Sequence, residues 1–179
     1  MAGPQILHSI YGKQAGFGPK NELILSDTQR DGLVDAQVLV WSSARVELLT
    51  AEILALRATP IVIVAAPGAL KAVIVDHVEV YLNFNSTAYT VDANEDLSFR
   101  YTNNSGIEVC APIDAADFMD NGSDIFAYAV GVETDAAQGF VPVVNAAVVA
   151  TMNTGEVTLG NSPVIVNLYY RIVSTVLTA

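Results

Sequence analysis

Few side chains in this sequence can do chemistry near neutral pH: two histidines, one cysteine and two clusters of carboxylates. His8 lies in a glycine-broken N-terminal segment and His77 in an alternating apolar run, and no Gly-x-Ser-x-Gly elbow offers either of them a nucleophile. Both histidines read as structural. Cys110 stands alone, cannot form a disulfide within the chain, and reads as a small core hydrophobe. Gly12-Lys13-Gln14-Ala15-Gly16-Phe17-Gly18 has the glycines of a phosphate loop but neither the Gly-Lys-Ser/Thr ending nor a strand before it, so it reads as backbone freedom. Asp92, Asn94, Glu95 and Asp96, and again Asp117, Asp120, Asn121 and Asp124, offer oxygen ligands of the kind calcium takes. Neither set has the spacing of a complete EF-hand loop, and turns recruit Asp and Asn for backbone reasons alone, so both read as solvated turns. No catalytic residue, cofactor or metal site is therefore assigned, and the chain reads as a non-enzyme.

The elements that carry these residues are strands. Ile61-Val62-Ile63-Val64 is a β-branched run followed by the turn Ala66-Pro67-Gly68. In the long alternating run from Val73 to Phe84, Val78, Val80 and Leu82 share one face. Leu97–Thr102 alternates, turns at Asn103-Asn104-Ser105-Gly106, and should pair with a strand at Ile107–Cys110. Further strands are predicted at Ile125–Val132, Ala146–Met152 and Pro163–Leu177. Two brief helices interrupt them, one with Thr50 as N-cap and one capped by Asp114. Short strands at this spacing give an all-β chain, an antiparallel sandwich or barrel. Tyr81, Phe84, Tyr89, Phe99, Tyr101, Tyr169 and Tyr170 fall mostly on those strands and read as sheet core or subunit contact in preference to a sugar-binding groove.

Composition narrows the setting. Hydrophobic residues make up 52% and charged ones 15%, against roughly 45–50% and about 25% in soluble domains. Mean hydropathy is +0.42, yet the richest stretch, Ile53 to Val75, is broken by Arg57, Pro60, Pro67, Gly68 and Lys71 and cannot be a single membrane-spanning helix. The apolar surplus points to surface that a partner subunit covers. A net charge of −11 with only eight bases speaks against nucleic acid. The N-terminus lacks the basic and apolar regions of a secretory signal, which places the chain in the cytoplasm where it is made. Asn85, Asn103 and Asn121, each followed by x-Ser/Thr, then read as turn residues.

Residues 1 to about 31 show no sustained period, and their glycines and prolines make them an extended arm, with the domain boundary placed between 40 and 41. Residues 1–30 balance to +1, whereas the remaining residues hold five bases against 17 acids. The arm is nonetheless rich in apolar side chains, so something must bury it, either the chain's own domain, around which it would wrap, or another subunit. Tyr11 and Phe17 are its candidate anchors, with Lys13, Lys20 and Arg30 at the rim.

From about Val46 to Leu177 the chain resembles the jelly-roll head decoration, or cement, proteins of tailed bacteriophages. The likeness rests on Leu56-Arg57-Ala58-Thr59-Pro60 leading into Val62–Gly68, on Tyr89, on Leu97-Ser98-Phe99-Arg100-Tyr101-Thr102, on Ala115-Ala116-Asp117-Phe118, and on Ser162-Pro163-Val164 followed by Tyr169-Tyr170-Arg171-Ile172. It implies a jelly-roll sandwich, a homotrimer, seated on the outer surface of the head where major capsid protein subunits meet. The arm, outside the likeness, is the expected capsid contact. The alternative is a receptor-binding or tail-fibre tip module whose aromatics recognise host glycans.

Overall fold

In the computed structural model, residues 16–17, 23–24, 41–132 and 142–175 are described. The chain divides into two units, Met1–Val40 and Trp41–Ala179. Within the first, strands β1 (Gly16–Phe17) and β2 (Leu23–Ile24) pair antiparallel. Two-residue strands are too short to leave a periodic trace in the sequence.

The second unit is an antiparallel β-sandwich. Strands β3 (Trp41–Leu48), β4 (Ile61–Val64), β5 (Lys71–Leu82), β6 (Tyr89–Thr90), β7 (Asp96–Tyr101), β8 (Ile113–Asp114), β9 (Ile125–Val130), β10 (Val148–Met152), β11 (Thr158–Leu159) and β12 (Val164–Ser174) follow in chain order. One four-stranded sheet has the order β3-β12-β5-β9 and the other β4-β10-β7-β8, with β11-β6 as a separate pair. Counting only the strands of the two larger sheets in chain order, the pairing orders are 1-8-3-6 and 2-7-4-5. Every connection but the one from β7 to β8 therefore crosses from one sheet to the other.

Local alternation explains which side chains enter the core. Val78, Val80 and Leu82 of β5 and Val164, Val166 and Leu168 of β12 all point inward and are fully buried. From the other sheet come Leu97, Phe99 and Tyr101, together with Val148, Ala150 and Met152 of the central strand β10. Side chains of both sheets form a single cluster. The Tyr101 hydroxyl donates to the Val73 carbonyl, a hydrogen bond that joins the two sheets through the core. Burial of a phenol needs such a partner, and it pushes the Tyr101 pKa up to about 12.

Three local expectations are corrected. Leu49, not Thr50, is the N-cap of α1 (Thr50–Ile53), and the Glu52 carboxylate accepts its backbone N–H at 2.8 Å. Glu52 thus supplies the capping contact from inside the helix. Ile107–Cys110 meets the preceding strand as expected, with Tyr101 N–H donating to the Ile107 carbonyl and Val109 N–H to the Phe99 carbonyl. It does so only around the single bridge Arg100↔Glu108 and not as a full ladder, because the segment then passes to the other sheet at Cys110↔Gly131. The registered partner of β7 on that side is β8. Glu95, expected in a solvated loop, is 2% exposed. The cap of α2 (Ala115–Phe118) is as expected, with Asp114 Oδ1 accepting from Ala116 N–H at 2.9 Å.

Candidate functional site

The sheet β3-β12-β5-β9 turns one face to the core and the other outward, and its register lays the outward side chains in three rows that cross all four strands, with Arg171 of β12 next beyond Tyr169 on the same face. These are Glu47–Ile165–Tyr81–Phe126, Arg45–Asn167–Glu79–Tyr128 and Ser43–Tyr169–His77–Val130. The chemistry changes across each row. At the β3 edge Ser43, Arg45 and Glu47 are polar and exposed. At the β9 edge Phe126, Tyr128 and Val130 are 56%, 55% and 55% exposed. Large apolar side chains left so open, side by side on a rigid sheet, form a patch of the kind that marks an interaction surface.

The middle strands hold this face in one arrangement. Opposite the step from Tyr169 to Tyr170 the ladder slips by one residue, leaving Asp76 of β5 unpaired as a bulge beside His77. His77 Nδ1–H donates to Asp76 Oδ2 at 2.7 Å, since a carboxylate can only accept. The His77 ring stacks on Tyr169, centroids 4.3 Å apart and planes 18° from parallel, and lies 5.2 Å from Tyr128 on its other side. The three rings form a rib across the sheet, with the faces of His77 taken by its neighbours. Tyr81 is tied down as well: its hydroxyl donates to Asp124 Oδ2 at 2.6 Å, while Asp124 Oδ1 accepts from Phe84 N–H at 2.8 Å. The bond to the Asp124 carboxylate pushes the Tyr81 phenol up in pKa.

Three of the other sequence candidates, Glu95, Asp124 and Asn121, are used internally. Glu95 accepts from Thr154 N–H at 2.8 Å, from the Thr154 hydroxyl and from Gly155 N–H at 2.6 Å. Burial pushes its pKa up, but these donors outweigh burial and leave the carboxyl below its ordinary value. Asp124 serves Tyr81 and Phe84, and Asn121 accepts from Ser123 within its own turn. Among the described residues no group of three or more His, Cys, Asp or Glu side chains could hold a metal ion. Cys110 is fully buried, and burial pushes its thiol up to about 12, so it is protonated at neutral pH. A shallow cleft of about 190 Å³ between β8–α2 and β9, lined by Ile113, Phe118, Ile125 and Ala127 with Asp114 and Asp117 beside them, adds little depth. No helix among the described residues is long and apolar enough to cross a membrane.

Of the aromatic residues singled out in the sequence, Tyr89, Phe99 and Tyr101 are core and Tyr81 and Tyr169 belong to the outward face. Phe126 and Tyr128, the most open aromatics of that face, carried no sequence signal as a site. Of the arm candidates, Tyr11, Lys13, Lys20 and Arg30 lie outside the described residues, and Phe17 falls in β1. Comparison of the chain with family models, with curated proteins and with solved structures gave no match.

Proposed function

We propose that this chain is a structural protein of a tailed-bacteriophage virion, a jelly-roll subunit that decorates the head and stabilises it by binding across major capsid protein subunits. One observation carries the reading: a rigid sandwich turns an aromatic, weakly charged sheet face outward, and such a face can dock without performing any reaction. The pairing orders 1-8-3-6 and 2-7-4-5 support a jelly-roll winding, in which eight strands distribute between two sheets through successive crossings. The arm, with Tyr11 and Phe17 as anchors and Lys13, Lys20 and Arg30 around them, is assigned the capsid contact on its +1 balance and its apolar content. In this reading the protein collects in the host cytoplasm during assembly and ends on the outer surface of the head, with no cofactor and no nucleic-acid or membrane partner.

The second reading is a glycan-binding tail tip, for which the open rings of Phe126 and Tyr128 would offer stacking surface, and copy number separates the two. Quantitative mass spectrometry of purified virions tests the proposal. The expected result is a copy number comparable with that of the major capsid protein. A handful of copies per particle transfers the chain to the tail, and its absence from virions overturns the reading.

A further inference from the structure

We infer that the partner covering the Phe126–Tyr128–Val130 strip is a second copy of this chain, packed sheet face against sheet face. The inference rests on the reading of that face as a docking surface and supplies its occupant.

Strand β9, Ile125-Phe126-Ala127-Tyr128-Ala129-Val130, carries no charged side chain, and its outward row is more than half exposed at all three positions. On the single chain these side chains stand in water, so burying them against another surface is favourable. Charge selects the surface. From Trp41 onward the sequence holds five bases against 15 acids, so two copies repel each other over most of their area. The outward face is less acidic: Arg45 and Arg171 stand on it against Glu47 and Glu79, with Asp76 at the bulge beside His77 and Asp124 on the Tyr81 hydroxyl. The balance is two bases to four acids there and three to eleven over the rest of residues 41–179. Two copies can approach there, put the uncharged strips together and set unlike charges of the flanking strands opposite one another. A basic partner would be drawn instead to the acidic surfaces elsewhere, where it would leave the strip uncovered. The rib formed by Tyr169, His77 and Tyr128 also gives the face fixed relief, and another pleated sheet can interlock with it.

Sedimentation velocity on the full chain across a micromolar concentration range is the test. Wild type is expected to associate, and Phe126→Glu/Tyr128→Glu to weaken that association roughly tenfold or more by burying charge in the contact. Val62→Glu, at an equally open position on the far sheet, is expected to leave it unchanged. A wild-type chain that stays monomeric, or a β9 variant that associates as tightly as wild type, overturns the inference. Thiol cross-linking decides independently, including the case of a misfolded charge variant. With Cys110 buried, Tyr128→Cys treated with a short bis-maleimide should give covalently linked copies, and Val62→Cys should not. Failure of the position-128 cysteine to cross-link overturns the inference too. A monomer that is abundant in virions sinks the self-contact and spares the virion proposal, whereas a chain that associates through β9 but is missing from virions does the reverse.

Discussion

The two edge strands of one sheet occupy equivalent positions and present opposite chemistry. On β3 the outward row is Ser43, Arg45 and Glu47; on β9 it is Phe126, Tyr128 and Val130, in register with the first across β12 and β5. A sheet edge offers unpaired backbone, and proteins commonly guard such edges with charge. The β3 edge is guarded in this way. Among the described residues the β9 edge is guarded at its end, where the Val130 carbonyl accepts from Ala111 N–H at 3.0 Å. The same backbone geometry therefore gives one edge that discourages contact and one that invites it, and the side chains alone make the difference.

Breaking the frame that holds both edges should have the largest effect. Phe99 is fully buried on β7, and Phe99→Ala should cost about 3–5 kcal/mol. Urea denaturation should show a lower midpoint with an unchanged slope, and association through β9 should fail along with the fold.

A sharper comparison sets two glutamates against each other. Glu95→Gln replaces an acceptor of three hydrogen bonds with a group that is half donor, and should cost about 1–3 kcal/mol. Glu47→Gln, on the exposed β3 edge, should change stability by less than about 0.5 kcal/mol. The folded-state pKa of Glu95 is lowered, so its contribution is complete above the ordinary carboxyl value of 4.5 and is lost as pH falls through the lower folded value. Melting temperatures of wild type and Glu95→Gln, measured from neutral pH into acid, should converge below that ordinary value.

The smallest effect on stability should come from giving β3 the character of β9. Arg45→Val/Glu47→Val should shift unfolding free energy by no more than about 0.5 kcal/mol, yet add a second association surface. Light scattering should then rise with concentration beyond the wild-type plateau. An unchanged scattering profile would show that charge on β3 is not what keeps that edge free.

The strands were legible wherever neighbouring residues alternate, because side-chain direction in a strand is a local property. Val78, Val80 and Leu82 were assigned to one face and are all buried. The turns at Asn103 and Asn121 were legible for the same local reason, each side chain accepting from the backbone two residues on. Glu95 was misread because its donors come from Thr154 and Gly155, about 60 residues away, and no local pattern announces such a partner. The crossing of residues 107–110 between sheets was missed because the bridge from Cys110 reaches Gly131, also beyond any local pattern.

By itself, then, the sequence determined an all-β chain with two short capped helices, an apolar surplus, a lone buried cysteine and an acidic body. Those follow from residue type and nearest-neighbour spacing. Only the tertiary structure decided where the surplus goes. Ile125–Val130 is apolar at every position, so alternation within it does not say which face is buried. Pairing with β5 alone puts it at a sheet edge, with Ala129 inward and Phe126, Tyr128 and Val130 in the open. Whether an apolar strand is core or contact depends on what lies beside it, and strand order is fixed by contacts between residues far apart in the chain.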